Sequence, residues 1–417
     1  MLQVAVDDTD SRTLGGCTTW LAARILDAFP ECHPVGYPRL VRLNPCVPWK
    51  TRGNGALALR LEGPVTLQEA LARVVAIVEA HARVADPDTS PAVAVTEAPV
   101  EAAFYWRAVR HVVPVEEARD ALAKAGALTW AAKPEARGLV GCAGALAWPA
   151  ERVTYELIAY RHSDRVGTPR SVDAASVAAM ARAFPDTFDS YCFEEDVVVM
   201  EPASPCPVLY GIRATRPDAL PAAHAAVVSE GAASFTIFET NQASDDHLLD
   251  RPLAKAEPYT SMRCEVTVAS RPERGAGGHV FLEVSDPTGF LRVAAYEPTK
   301  GFRESVLGLR PGDRVLLCGS VMAGPDGALT LNLEKFEASE LVPDRVKVAN
   351  PKCPTCGKPM GSMGSRGGYR CERCRTKAPP GSGEWVERPR RLALGWHEVP
   401  ACARRHLARS MGGAQAP

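Results

Sequence analysis

The spacing of apolar residues divides the N-terminal part of the chain into strands and helices. Short apolar runs bounded by polar turns predict strands, and an apolar residue at every third or fourth position predicts a helix. Residues 66–84 carry the clearest helical stripe of apolar side chains. The predicted strands are Leu2–Val6, Arg39–Leu43, Ala56–Leu61, Val153–Ala159 and Asp196–Met200, and the other predicted helices are Cys17–Phe29 and Val115–Ala125.

Residues 259–340 follow a different pattern of five strands, with one short helix between the third and the fourth. This order is typical of an OB-fold barrel, although another small antiparallel barrel is the alternative. The whole chain is therefore predicted to be a multidomain α+β protein. The five strands are Met262–Ala269, His279–Val284, Leu291–Ala295, Arg314–Val321 and Ala328–Glu334, and the helix is Gly301–Leu309.

The charge of the chain is nearly balanced, but it is unevenly distributed. The net charge is −1, whereas residues 344–417 hold 15 Lys and Arg against 5 Asp and Glu. A basic end on an acidic body indicates a nucleic-acid-binding arm, and a merely solvated zinc module is the alternative. With 46% hydrophobic residues, no apolar run of about 18 and no basic start before an apolar stretch, the chain is predicted to be globular and cytoplasmic, without a membrane helix or signal peptide.

Two Cys-x-x-C pairs near the C-terminus form the strongest local motif. Cys353, Cys356, Cys371 and Cys374 provide four thiolates, which close a tetrahedron around Zn²⁺ and leave no open position. We therefore predict a structural zinc ribbon. Its surroundings are rich in candidate RNA-binding residues, with basic side chains for phosphates and one aromatic ring for a base: Lys352, Arg366, Tyr369, Arg370 and Arg373, followed in the tail by Arg404 and Arg405.

A second motif follows the first predicted strand, where Asp7, Asp8 and Asp10 stand close together. Carboxylates clustered past a strand end suit a hard cation such as Mg²⁺. Side chains of consecutive strand residues point to opposite faces, so Asp7 and Asp8 need a bend to reach one ion. An N-cap and turn cluster is the alternative.

Glycines before a predicted helix extend this motif. Gly15 and Gly16 precede Cys17, Thr18 and Thr19, and backbone N–H groups at a helix start bind phosphate well. Lys50 and Arg52 lie in a polar turn and provide positive charge for a triphosphate, with an exposed turn as the alternative. We expect ATP to bind here. The acidic stretch from Asp189 to Asp196 is a candidate for a cationic substrate, against a solvated loop.

Taken together, these segments resemble the archaeal 2-agmatinylcytidine synthetase family (TiaS), which acts on the minor isoleucine tRNA. The resemblance covers nearly the whole chain. It rests on VDDTDS, GGCTTWLA, YPRLVRLNPCVPWKTRGNGA, ELIAYR, TFDSY, PCPVLYGIR, TNQASDDHL, GGHVFLEV, AAYEPTKGFR and the two cysteine pairs.

The resemblance implies a kinase-like domain over residues 1–130, part of which recurs after the next domain, a ferredoxin-like domain over 131–255, an OB-fold over 256–343 and a zinc ribbon with a basic tail over 344–417. It implies that ATP activates the carbon-2 oxygen of the wobble cytidine, that agmatine displaces this oxygen, and that AMP and phosphate are released. It also implies that Asp7, Asp8 and Asp10 serve the metal and that Thr18 becomes phosphorylated. Asp189 and Asp196 are the candidates for agmatine.

The sequence departs from the family pattern at two places. Gly16 directly precedes Cys17 where the family usually has Met, and Tyr191-Cys192-Phe193 stands where Trp-Cys-Asn is expected. A non-catalytic single-strand-binding protein, or a small-molecule kinase with an RNA-binding tail, are the alternatives. The first leaves the aspartate and threonine motif unexplained, and the second would consume ATP without RNA.

Overall fold

A computed structural model describes residues 1–50, 53–364 and 366–412. Its N-terminal region has the predicted strand, loop and helix at the start. Helix α2 begins at a capping box, in which Thr66 and Glu69 bond to each other's backbone N–H groups. The elements of this region are β1 Leu2–Asp7, α1 Thr18–Asp27, β2 His33–Pro34, β3 Arg39–Arg42, β4 Gly55–Glu62, α2 Leu67–His81, β5 Ala92–Thr96, α3 Ala102–Arg110, α4 Val115–Lys124 and β6 Leu128–Ala131.

The second region continues the alternation of helices and strands. The predicted strand at Asp196–Met200 is reduced to two residues, whereas the strand predicted at Val153–Ala159 is full length. The elements are α5 Gly138–Leu146, β7 Thr154–Tyr160, α6 Ala174–Ala183, β8 Thr187–Phe188, β9 Tyr191–Cys192, β10 Val197–Val198, β11 Val208–Ala214, α7 Leu220–Ala226 and β12 Ser234–Thr240.

One mixed sheet of ten strands runs through both regions. Its order is β6-β5-β1-β4-β3-β12-β7-β11-β8, with β2 paired to β4. The two regions meet where β12 runs parallel to β3, with Thr240 opposite Leu40. Strand β1 is central, so its alternating residues are buried on both faces: Val4 and Val6 pack with α1 and α2, and Ala5 packs with the helices on the other side.

Helix α5 lies unusually close to this sheet because it presents glycines at every third position. A methyl group on Gly138 would lie 2.7 Å from the Ser90 carbonyl oxygen, and one on Gly144 would lie 3.0 Å from Leu43. The helix shares a core with β1, β3 and β5 of the first region. Packing therefore crosses the domain boundary that was expected near residue 130.

The third region is the predicted five-stranded barrel with additions. Strand β14 pairs with β16 and β18, β17 pairs with β16 and with β19 in parallel, and β18 pairs with β19, which closes the barrel around one apolar core. Its elements are β13 Leu248–Asp250, β14 Thr260–Val268, β15 Glu273–Arg274, β16 Val280–Asp286, β17 Gly289–Ala295, α8 Phe302–Leu307, β18 Arg314–Ala323 and β19 Leu329–Glu340.

The last region is a small ribbon on a two-stranded stalk. Strands β20 Asp344–Ala349 and β24 Glu384–Arg388 form the stalk, and β21 Gly361–Ser362, β22 Tyr369–Arg370 and β23 Lys377–Ala378 form the ribbon. The chain then returns to the barrel, where β25 Gly395–Glu398 pairs with β19. Within the described residues, no helix has the length and apolar character needed to cross a membrane.

Candidate functional site

A cavity of about 680 Å³ lies where the first two regions meet the C-terminal tail. Residues of all three parts line it, and its wall is rich in charged side chains. The polar residues of the lining include Asp7, Asp8, Asp10, Arg12, Cys17, Thr18, Thr19, Arg42, Lys50, Asn54, His111, Arg137, Glu156, Glu201, Arg213, Arg404 and His406.

Asp7 and Asp8 form an acidic corner of this cavity at the end of β1. The bend that the sequence required is present, because Asp8 has a left-handed backbone with φ of 57°. The backbone N–H of Ser90 donates to Asp8 Oδ2 at 3.0 Å. Burial and the neighbouring Asp8 raise the pKa of Asp7 to about 8, and burial raises the pKa of Asp8 to about 6. Two partly buried carboxylates so close together favour a bound cation.

Helix α5 holds the Asp7 carboxylate in place. A methyl group built on Gly141 would lie 2.8 Å from Asp7 Cβ and would overlap its carboxylate. No side chain larger than hydrogen fits between this helix and Asp7. Gly141 therefore belongs to the site, although it was not predicted from the sequence. The glycines at 138, 141 and 144 are the signal that predicts close packing of such a helix.

The glycine–threonine motif opens α1 beside the acidic corner. Gly15 and Gly16 have φ of 75° and 82°, and a side chain on Gly15 would strike the carbonyl of Pro205 in the second region. The Thr18 hydroxyl is buried and lies 3.0 Å from that of Thr9. Thr19 Oγ1 lies 3.0 Å from Cys17 Sγ. The helix start thus faces the cavity, as expected for a phosphate site.

The other residues expected at the triphosphate site differ in their positions. Asp10 lines the cavity. Among the described residues, however, no third carboxylate lies close enough to Asp7 and Asp8 to complete a group of three potential metal ligands like that of the cysteines. Lys50 also lines the cavity, yet its ammonium donates to the carbonyl of Pro45. Arg52 lies outside the described residues.

Another part of the cavity wall is a network of buried ion pairs. Glu156 lies 3.5 Å from Arg42 and 3.6 Å from Arg213, and the Gln242 amide donates to it at 2.6 Å. His406 of the tail lies 2.9 Å from Arg213. Burial and the neighbouring arginines hold the pKa of His406 well below its usual value, so it is neutral. None of these residues was predicted as a site residue, although Arg42, Glu156, Arg213 and Gln242 stand in segments that carry the family resemblance.

Asp189 and Asp196, the candidates for agmatine, are not exposed to the cavity. Asp189 is buried behind the wall and pairs with Arg404 and, at 3.8 Å, with Arg213. Asp196 accepts a hydrogen bond from the Tyr191 hydroxyl at 2.5 Å. Two arginines already pair with the Asp189 carboxylate, and neither Asp189 nor Asp196 lines the cavity, so the structure adds no support to the prediction that they bind agmatine.

The four predicted zinc ligands come together. The sulfurs of Cys353, Cys356, Cys371 and Cys374 all lie within 4.8 Å of one another, and those of Cys356 and Cys371 are 3.6 Å apart. Zn–S bonds of about 2.3 Å in a tetrahedron place sulfurs about 3.8 Å apart, so the set fits Zn²⁺. Each knuckle closes with a residue of positive φ, Gly357 in the first and Arg375 in the second.

The candidate RNA-binding residues fall into two groups. Lys352, Arg366, Arg370 and Arg373 are exposed on the ribbon. The remaining three are engaged within the protein. Tyr369 is buried in the ribbon core with the Lys347 ammonium 4.5 Å from its ring centre, so its face is not offered to a base. Arg404 lines the cavity, and Arg405 contacts Ser320 and Glu334 of the barrel.

The fold and the site define a class of protein: an enzyme whose cavity suits a cation and phosphates, joined to an OB-fold and a zinc ribbon. Family models match the chain in the same order. Residues 3–133 match the TiaS TCKD domain, 136–247 the TiaS FLD domain, 262–338 the OB-fold nucleic acid binding domain, and 350–392 the TiaS C-terminal zinc ribbon domain.

Full-length relatives give the same assignment. TiaS of Methanosarcina mazei, the 2-agmatinylcytidine synthetase of the isoleucine-2 tRNA, is 38% identical, and the match covers 98% of this chain and 96% of that protein. A solved complex of TiaS with the isoleucine-2 tRNA and ATP has a TM-score of 0.86 at 39% identity, and one with the same tRNA, AMPCPP and agmatine has 0.84 at 35%. Each match covers 98% of this chain and 96% of the solved chain. The chain belongs to the TiaS family.

Proposed function

We propose that this chain joins agmatine to carbon-2 of the wobble cytidine of the minor isoleucine tRNA, with ATP as the activating substrate. The single observation that carries the proposal is the full-length match to structures solved with that tRNA and ATP and with an ATP analogue and agmatine. A cavity that combines carboxylates, a glycine-flanked helix start and arginines supports the same chemistry. A non-catalytic nucleic-acid-binding protein would need no such cavity.

The reaction needs activation because the oxygen on carbon-2 of cytosine is a poor leaving group. Phosphorylation of that oxygen allows the agmatine amine to attack carbon-2, so that a C–N bond forms and the oxygen leaves on phosphate. Phosphoryl transfer depends mainly on positioning and on spreading the charge of the moving group. Carboxylates and arginines that both line the cavity would supply both.

Asp7 and Asp8 are proposed to hold Mg²⁺. Their oxygens are the hard ligands that this ion prefers, and burial, the main cause of the raised pKa of both carboxyls, makes their negative charges costly without a cation. When bound, Mg²⁺ would neutralise the charge of the triphosphate. The Ser90 N–H and Gly141 fix the orientation of the two carboxylates. Asp10, Gly15, Gly16 and Thr19 are proposed to shape the adjoining ATP site.

Thr18 is proposed to be the residue that becomes phosphorylated. It begins α1, and its hydroxyl faces Thr9 at the edge of the acidic corner. The N–H groups of the first helical turn have no partners within the helix, and no side chain caps it. These groups would stabilise the charge of a phosphate held at this position.

Glu201 is proposed to receive a cationic end of agmatine. Of the other carboxylates lining the cavity, Asp7 and Asp8 are assigned to the metal, Asp10 to the adjoining ATP site, and Glu156 is paired with two arginines. Glu201 is half-buried, and burial raises the pKa of its carboxyl although the nearby Arg170 lowers it. Its loop is held by Arg170, which donates to the carbonyls of Pro202, Ser204, Cys206 and Val208.

The barrel and the ribbon are proposed to bind the tRNA. The exposed Lys352, Arg366, Arg370 and Arg373 suit phosphates, and the net positive charge of residues 344–417 suits a polyanion. Because tRNA is the substrate, we propose the cytoplasm as the compartment.

The proposal is tested by mass spectrometry of the wobble nucleoside after incubation of the minor isoleucine tRNA with the chain, ATP and agmatine. We expect 2-agmatinylcytidine with the wild type, and none with Asp8→Ala, which keeps the fold. An unmodified cytidine with the wild type overturns the proposed function, and full turnover by Asp8→Ala overturns the role of the acidic corner.

The agmatine contact has its own test. Glu201→Gln should raise the KM for agmatine by about tenfold or more, because a charge-assisted contact is lost, while the KM for ATP stays the same. Glu195→Gln, an exposed neighbour, is the matched control. Equal KM values for agmatine in both variants would exclude Glu201.

A further inference from the structure

The chain beyond the zinc ribbon folds back onto the cavity. Residues 399–410, here called the C-terminal strap, lie past the last residue that any of the family models matches. The strap is docked through its backbone: the N–H groups of Ala243 and Asp245 donate to the carbonyls of His406 and Leu407, each at 2.8 Å. Leu407 is buried in the core of the first region. These contacts fix the strap to the first two regions of the protein.

A buried ion pair anchors the end of the strap. The Lys335 ammonium of the barrel donates to Asp245 at 2.6 Å and to the carbonyl of Arg409 at 2.7 Å, and the Arg409 N–H donates to Asp245 at 2.8 Å. Lys335 is almost fully buried, so this anchor loses little strength to solvent. The barrel, the segment that follows β12 and the strap are thus connected by one group of hydrogen bonds.

Between these attachments, the strap presents Arg404 and His406 to the cavity. Arg404 pairs with Asp189 of the second region and, at 3.3 Å, with Glu398 of the strand that precedes the strap. His406 Nδ1 lies 2.9 Å from Arg213 and 3.0 Å from Gln242. A guanidinium only donates, so Nδ1 accepts the hydrogen bond from Arg213 and has no proton to donate to Gln242 Oε1.

These contacts determine which of two carboxylates, Asp189 or Glu156, Arg213 pairs with. Arg213 lies 3.8 Å from Asp189 and 3.6 Å from Glu156, and Glu156 in turn lies 3.5 Å from Arg42. Arg404 neutralises Asp189, so Arg213 remains available to Glu156 and to His406. Without Arg404, the buried Asp189 would be left with Arg213 alone, and buried unlike charges attract strongly. Arg213 would then move toward Asp189, and Glu156 would lose one of its two arginines.

We infer that the C-terminal strap completes the catalytic cavity, and that Arg404, with His406, is a positioning residue for Arg213 and Arg42. The inference rests on the proposed function. It reassigns Arg404 from RNA contact to the cavity wall. It also makes the C-terminal strap part of the active site, since Arg404 and His406 both line the cavity.

The test compares steady-state kinetics of the full chain and its variants with ATP, agmatine and the minor isoleucine tRNA. A displacement of catalytic groups by about 1 Å costs up to about 100-fold in rate, so Arg404→Ala should lower kcat by about 10- to 100-fold. The KM for tRNA should change less than about threefold, because Arg404 lies in the cavity wall and not on the exposed ribbon surface. Arg404→Lys keeps the charge and should restore part of kcat.

Asp245→Asn is the matched control for strap docking. It removes a charge from the anchor without touching the cavity wall, so it should lower the melting temperature while kcat stays within about threefold. Asp189→Asn adds a coupling test: because Asp189 and Arg404 act as a pair, the double variant with Arg404→Ala should lose no more kcat than the worse single variant.

The outcomes separate the explanations. A higher KM for tRNA with unchanged kcat in Arg404→Ala would overturn the inference and make Arg404 an RNA contact. Equal losses of kcat in Arg404→Ala and Asp245→Asn would overturn the role of Arg404 as a positioning residue, because loss of strap docking alone would then account for the effect. Wild-type activity in the same assay tests the proposed function separately. Its absence would refute the proposed function, whereas the role of the strap is tested by the variants relative to an active wild type.

Discussion

Replacement of Gly141 by alanine tests how strictly the Asp7 carboxylate is positioned. The added methyl group would lie 2.8 Å from Asp7 Cβ, inside ordinary contact distance, and would overlap the carboxylate. Either the carboxylate moves by on the order of 1 Å, or α5 withdraws from the sheet. A misplacement of that size costs up to about 100-fold in rate, and forced overpacking costs about 1–3 kcal/mol of stability.

Alanine within a helix is otherwise favourable, by about 1 kcal/mol relative to glycine. Any loss in Gly141→Ala therefore comes from the clash and not from helix propensity. Gly144→Ala is the matched control on the same helix. Its methyl group would lie 3.0 and 3.1 Å from the tips of the flexible Leu43 side chain, which can move, and at an ordinary contact distance of 3.5 Å from Ala108 Cβ.

The assay is incorporation of agmatine into tRNA, with melting temperature measured in parallel. We expect Gly141→Ala to lose about 10- to 100-fold in kcat, and Gly144→Ala to stay within about threefold of the wild type. Full activity and an unchanged melting temperature in Gly141→Ala would refute this role of the glycine. Equal losses of activity in the two variants would refute it as well.

Two further predictions concern the barrel and the ribbon. Cys371→Ser should reduce bound zinc, measured by atomic emission, from one ion per chain to near none, and should weaken tRNA binding while ATP still binds; retention of zinc would contradict the ligand set. Burial opposes ionisation of Glu334, but contacts with His247, Arg405 and Ser320 outweigh it and lower its pKa from 4.5 to about 2. Ionised Glu334 therefore contributes up to about 3 kcal/mol above pH 4.5, and this is lost as the pH falls toward 2. The stability difference between wild type and Glu334→Gln should shrink over that range, and a difference that grows on acidification would contradict the assignment.

The features that could be predicted from the sequence are those that depend on neighbouring residues. The strands, the long helices, the barrel order and the four zinc ligands follow from spacing alone, and Asp7, Asp8 and Thr18 form one short motif around β1 and α1. The spacing of residues predicts these features because each strand, helix or cysteine pair is formed by residues that are close together in the sequence.

The remaining features depend on contacts between distant parts of the chain. Asp189 appeared suited to a cationic substrate, but Arg404, 215 residues away, neutralises it. The Asp7 carboxylate leaves room only for glycine at position 141. Arg42 and Arg213 are brought together by their common ion-pair partner, Glu156. Whether a carboxylate is free or paired is decided by tertiary packing, so a single sequence does not reveal it.

The proposed role of the acidic corner is open to direct measurement in a crystal of the chain grown with Mn²⁺ and a non-hydrolysable ATP analogue, because anomalous scattering locates Mn²⁺ unambiguously. We predict one Mn²⁺ site bound by Asp7 and Asp8, with the triphosphate directed toward the first turn of α1 at Thr18. Mn²⁺ and triphosphate bound away from that corner would contradict the assignment.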